Sequence, residues 1–364
     1  MTARPSASLD RRTFLRMAGA AWAASLAARP AFALSRTDAV FASGYREPDG
    51  SFGIAVLAED GTIIDRTPLP ARSHGMAFSP ATQHLVAFAR RPGTFALVID
   101  RSGTAAPITI AAAEDRHFFG HGCFSPDGRF LYASENDFDA NRGVIGLYDA
   151  HDGYRRIGEY STFGIGTHDL SVSDDGRLLI AANGGIETHP DFGRTKLNLD
   201  HMEPSLALID AATGALIERH ALPEKLRQLS TRHVDLDEKG RIWFACQYEG
   251  PRNDLPPLVG RLSKGEDLTF LSLPEETTIG LANYVGAIAV NRREDLVGLT
   301  SPNGGRFVML DARTGRVLKE ETVADAAGIA AAPHGFAVSS YDGRFAGRRE
   351  DVAWDQHIAG LRPR

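Results

Sequence analysis

The stretch Gly120–Gly153, GHGCFSPDGRFLYASENDFDANRGVIGLYDAHDG, decides the fold. Cys123 to Ser125 is a short apolar segment. Ser125-Pro126-Asp127-Gly128 is a turn, because proline presets φ and glycine accepts positive φ. Phe130 to Ser134 alternates around Leu131 and Ala133. A polar loop follows, then Val144 to Asp149, which ends on a second turn at Asp152-Gly153. Strand, turn, strand, loop, strand, turn makes up most of one propeller blade.

The same phrase recurs in both directions along the chain, which is the signature of a repeat architecture. Full units run from His74 to Gly103, from Gly120 to Gly153, from His168 (with an insertion, Ile186 to Pro204), from His233, and over VGAIAVNRREDLVGLTSPNGGRFVMLDARTG. The closing phrases VIDRSG, LYDAHDG, LIDAATG and MLDARTG each end an apolar strand on Asp and a glycine turn. Ala39 to Gly44, Phe52 to Ala58 and Thr62 to Thr67 read as strands with no inner partner. The C-terminal tail, Val352 to Leu361, can supply one. The expected fold is all-β: a seven-bladed β-propeller of four-stranded antiparallel blades, or six blades if the two chain ends share one. Helical periodicity is nearly absent, with one turn expected within Pro223 to Leu229.

Residues 1–33 stand apart. Arg11-Arg12-Thr13-Phe14-Leu15-Arg16, an Ala-rich run from Met17 to Ala28, and Ala31-Phe32-Ala33 have the order of an export signal, and the paired arginines indicate the twin-arginine route. The expected organisation is a signal peptide over 1–33 and one propeller domain over 34–364, located in the periplasm. The chain carries −6, and the leader's five Arg and one Asp leave −10 on the remainder. That balance argues against nucleic acid as a partner. No run after the leader is long enough to span a bilayer. Cys123 and Cys246 fall in different repeats, on expected inner strands, and read as buried thiols rather than a disulfide.

Four units have a histidine just before the inner strand: His74, His121, His168 and His233. Inner strands line the channel, so these imidazoles can converge on one metal ion such as iron, copper or zinc. Each can instead bond the backbone of its own loop. The register is uneven, since His168 lies eight residues before Gly176 while His121 and His233 lie seven before Gly128 and Gly240. The insertion is the second candidate. Asn183, His189, Asp191, Arg194, Lys196 and Asn198 offer both charges on a loop carried by a rigid scaffold, although Arg194 can simply pair Asp191. Gln247 follows an inner blade strand and can meet the channel. Glu135, Asn136, Asp137 and Asp139 lack the full spacing of a calcium loop and read as a solvated turn. No catalytic-serine, haem-attachment or phosphate-cradling motif is present.

The phrases GHGCFSPDG, ANGGIETHPDFGRTKLN, MEPSLALIDAATG, CQYEG, SPNGGR and AWDQH resemble the domain of unknown function 1513 family from about Phe41 to the C-terminus. The resemblance implies an exported WD40/YVTN-like propeller. It implies a genetic setting beside imelysin-type and di-haem peroxidase-like periplasmic proteins, hence iron or metal uptake with those proteins as partners. It transfers no catalytic residue.

The reading that follows is a periplasmic binding propeller for iron or metal acquisition. It would hold iron, copper, haem or a partner protein at the channel mouth. A propeller enzyme, lactonase-like or an oxidoreductase, is the alternative, for which Glu135, Asn183 and Asp235 would have to converge. A pure interaction scaffold is the third.

Overall fold

The computed structural model describes residues 38–362; the leader read at residues 1–33 lies outside them. Within that range the chain forms seven four-stranded antiparallel sheets. One sheet joins the two ends of the chain. The C-terminal strand β28 (Ala353–Gly360) pairs with β1 (Ala39–Arg46), followed by β2 (Phe52–Ala58) and β3 (Ile63–Leu69). The other sheets follow in chain order, each beginning with its innermost strand: β4 (Ser73–Ser79), β8 (Arg116–Phe124), β12 (Thr167–Val172), β16 (Leu229–Leu236), β20 (Ala287–Asn291) and β24 (Ala326–Ala331). These strands and β28 neighbour one another around a central channel.

The repeated phrases fold as their residue types dictate. In the Ser125 turn, the serine hydroxyl bonds the Asp127 carboxylate at 2.5 Å and accepts from Phe130 N at 2.9 Å. Ser173 and Asp175 repeat this at 2.6 Å, with Leu178 N at 2.9 Å. The strand-ending aspartates accept backbone N–H groups two or three residues on: Asp100 from Ser102, Asp210 from Thr213, Asp311 from Thr314. A local side-chain acceptor of this kind closes a turn without tertiary help.

The core lies between blade faces. Its largest cluster gathers Trp243, Phe244, Leu206, Val297 and Leu310 from three consecutive sheets. Among the described residues helix is confined to short pieces: single turns at Ala150–Asp152, Pro190–Phe192 and Glu224–Leu226, the last within the expected segment, and a six-residue helix, Glu275–Gly280, that the pattern does not show. The two cysteines are free; Cys123 lies on β8, whereas Cys246 lies on β17 (Ile242–Tyr248), the second strand of its sheet rather than an inner one.

Closure is held by burial as well as by pairing. Trp354 on β28 is fully buried, donates Nε1–H to Gly343 O at 3.0 Å, and meets Phe345 and Tyr45 edge-on at 5.3 and 6.2 Å. Trp354→Ala is expected to lower stability by about 3–5 kcal/mol, read from urea unfolding. A loss below about 1 kcal/mol would contradict closure through this strand.

Candidate metal centre

Five of the seven inner strands place a histidine in the channel: His357 on β28, His74 on β4, His121 on β8, His168 on β12 and His233 on β16. They belong to consecutive blades. Each lies in or beside a break in the pairing register. The breaks fall between Ser73 and Met76, Phe118 and Gly122, Thr167 and Asp169, and Thr231 and His233, and β28 jumps from Trp354 to Ile358 opposite β1. A β-bulge inserts residues into one strand and re-aims side chains. The extra residue is His168 itself on β12 but Arg232 on β16, which accounts for the uneven spacing seen in the sequence.

The five rings touch. His121 stands 4.8 Å from His74, 4.8 Å from His168, 5.4 Å from His233 and 4.5 Å from His357, centroid to centroid. Two glycines make this approach possible. A Cβ on Gly75 would lie 2.6 Å from the His121 ring, and one on Gly120, at φ +106°, would lie 2.7 Å from the His74 ring. Spacing of this order admits one ion between rings and leaves no room for a porphyrin.

Four are buried and His357 is half-buried. Burial holds His74, His168 and His357 well below the usual imidazole range, helped by the neighbouring rings and, for His168, first by the Arg232 charge. Burial takes His233 down to about 4, against the opposing pull of Asp169. Neutral imidazoles carry lone pairs, the form in which histidine ligates metals. His74 Nδ1, His121 Nε2 and His357 Nε2 have no hydrogen-bond partner. Two sets, His74–His121–His168 and His121–His233–His357, each offer nitrogens within 4.8 Å of one another. The Nε2 atoms of His74 and His168 are 3.4 Å apart, the edge length of about 3.4 Å that a tetrahedron with metal–nitrogen bonds near 2.1 Å requires.

Asp169 supports the second set. Its carboxylate faces His121 Nδ1 at 3.3 Å and His233 Nδ1 at 3.8 Å. Burial by itself would raise this carboxyl; the facing rings outweigh it and hold Asp169 well below the usual carboxylate range. An ionised Asp169 facing His121 Nδ1 leaves the unpartnered Nε2 of that ring as the side open to a metal, the arrangement of a carboxylate–histidine–metal relay.

The rim above the rings carries Arg232, 3.3 Å from His168 Nδ1 and 3.8 Å from Glu249, and Arg72, paired bidentately with Asp355 at 2.8 and 2.9 Å. Gln356 donates to Tyr284 Oη at 2.9 Å.

The insertion residues divide. Asn183 and Asn198 are backbone anchors rather than ligand groups. Asn183 donates to Thr162 O and accepts from Thr167 Oγ1, while Asn198 donates to Gly185 O and accepts from Glu187 N. Lys196 bonds Glu249 at the rim. Arg194 forms no ion pair with Asp191 among the described residues; its charge acts on Arg90, Arg91 and Arg232. His189 packs on Phe138 and caps the turn that bears the exposed Asp191. Gln247 is buried and donates to Val285 O at 3.3 Å.

The groups weighed for an enzyme do not converge. Glu135 is buried against Tyr148 and Arg156, at 2.5 and 2.8 Å, and Asp235 accepts from Val290 N and Leu236 N. Glu135, Asn136 and Asp137 form the buried end of a strand, not a solvated turn. His357, Asp169 and Arg232 are absent from the sequence-based site. Asp169 and Arg232 directly flank histidines that the repeat singles out.

Known structures share the fold. A chain titled Kuenenia stuttgartiensis hydrazine synthase aligns with a TM-score of 0.60 at 16% identity, covering 85% of this chain and 94% of its own. The Myceliophteria thermophila Cps50 (Swd1) β-propeller domain aligns with a TM-score of 0.58 at 13% identity, covering 88% and 93%. No curated protein matches the sequence. The family model described as "protein of unknown function (DUF1513)" matches residues 67–361, and the chain belongs to that family.

Proposed function

We propose that this propeller is an exported metal-binding protein that holds one transition-metal ion in its channel and serves metal acquisition. One observation carries the reading: five imidazoles from five blades, four buried and one half-buried, three with an unpartnered ring nitrogen, stand in mutual contact beside a carboxylate. Buried polar atoms without partners are costly, and a bound ion supplies the missing partner. His121, His233 and His357 are the primary ligands, with His74 and His168 the neighbouring pair. The donor set suits zinc, copper or iron(II). Export rests on the paired arginines and small-residue site of the leader.

The metal-free protein is expected to take up one zinc, copper or iron(II) ion per chain that survives mild but not strong chelation, measured by mass spectrometry. His121→Ala combined with His357→Ala is expected to abolish stoichiometric binding. Asp169→Asn is expected to weaken it by about 10–100-fold, as loss of a carboxylate behind a metal-bound histidine does. No stoichiometric metal, or retention by the double variant, overturns the reading.

Acid is expected to act on the same groups. His74, His168, His233 and His357 have lowered pKa values, so the unfolded chain takes up protons first, from about pH 6.5. Stability of the metal-free protein is therefore complete above that pH. It falls as pH drops toward about 4, where His233 titrates. Each such ring costs roughly 1.4 kcal/mol for every pH unit between its unfolded and folded midpoints. Urea unfolding across pH 4–7 checks this, with His233→Asn expected to flatten the slope. A stability independent of pH across that window contradicts it.

A further inference from the structure

The rim charges are unevenly matched. Arg72 has Asp355, and Lys196 has Glu249. Arg232 is 3% exposed, lies beside His233 on β16, and places Nη1 3.3 Å from His168. Its nearest carboxylate oxygen, on Glu249, is 3.8 Å away, and its Nε has no partner. Arg90 and Arg91 directly follow β5 (His84–Ala89), whose last residue pairs with Ser73, next to His74. Arg90 Nε and Arg91 Nη1 are buried and also without partners. The Arg91 guanidinium lies 5.7 Å from the ring of Phe119, two residues before His121. Among the described residues neither Arg90 nor Arg91 forms an ion pair. Burial, then the neighbouring arginines, take Arg91 down to about 9 and lower Arg90 as well; burial likewise lowers Arg232.

Three guanidiniums with unmet donors, set against neutral rings in a chain whose overall charge is −6, form a local positive centre. Surface arginines would be solvated, whereas here buried N–H groups on three side chains remain unmatched, and a buried donor left unpaired is costly. Planar guanidinium forks match paired oxygens. Arg194 adds charge from the insertion without entering the buried set.

We propose that Arg90, Arg91 and Arg232 bind a small multivalent oxyanion, a carboxylate or a phosphate, at the channel mouth beside the imidazoles, and that anion and metal ion strengthen each other's binding. The second half rests on the metal-binding reading; the first does not. An anion here would neutralise the guanidiniums nearest the site and so remove repulsion from the incoming cation. Its oxygens would lie on the open side of the ring cluster, where they can complete the coordination that the imidazoles begin.

Calorimetric titration of the metal-free protein with citrate, and separately with inorganic phosphate at matched ionic strength in chloride, tests the site. One saturable event per chain is expected in one arm, and that arm names the source as a polycarboxylate or a phosphate. Arg91→Gln and Arg90→Gln are each expected to weaken it by about tenfold or more. Arg313→Gln, on an exposed outer turn, is expected to leave it unchanged. No saturable binding in either arm, or full affinity in both Arg90 and Arg91 variants, overturns the site. Protein loaded with zinc and freed of excess is expected to bind the same anion at least about tenfold tighter; equal affinity overturns the coupling. Zinc titration in buffer free of oxyanions tests the metal reading by itself, so the two failures are distinguishable.

Discussion

A ring of sheets has to close, and here closure depends on one antiparallel pairing between the last strand and the first. β28 lies against β1 from Arg46 to Phe41, with Trp354 driven between Tyr45 and Phe345. A closed ring leaves only short inner edges, the innermost strand of each sheet, packed side by side around the channel. It also fixes the circumference, and with it the distance between residues on opposite inner strands. The strand that closes the ring carries His357, which completes the second histidine set opposite His121. Closure of the fold and completion of the site are thus one event.

The bulges convert that circumference into a site. Regular strands would alternate their side chains between the two faces. The pairing breaks at one level on β4, β8, β12, β16 and β28 let successive blades point imidazoles at a shared volume instead. Gly75 and Gly120 yield the space in which His74 and His121 meet. The arrangement has an energetic cost: neutral rings and unmatched guanidiniums are buried together with few partners. On the proposed reading, binding of an ion and a counter-anion would offset that cost.

Much of the architecture was legible because its punctuation is local. Ser-Pro-Asp-Gly and the strand-ending Asp close turns through bonds within a few residues, so the repeat and the unpartnered first strands could be read directly. The four repeated histidines were legible for the same reason. Their convergence was not, because a bulge adds a residue without a distinctive residue type, and counting back from the turn glycines gives conflicting registers for His168 and His233. His357 lies on a tail with no following turn to align it. Asn183 and Asn198 looked like ligand groups because a polar side chain satisfying a buried backbone has the same composition as one awaiting a ligand. Arg90 and Arg91 lie just beyond a second strand, and only the blade geometry carries them to the mouth.

The central claim is that lone pairs of imidazoles from separate blades meet at one ion. X-ray absorption on the zinc-loaded protein tests it most directly. The account predicts at least three nitrogen scatterers at about 2.0–2.1 Å with the outer-shell pattern of imidazole rings, reduced in His121→Ala. A first shell of oxygen alone, with no imidazole contribution, would contradict it.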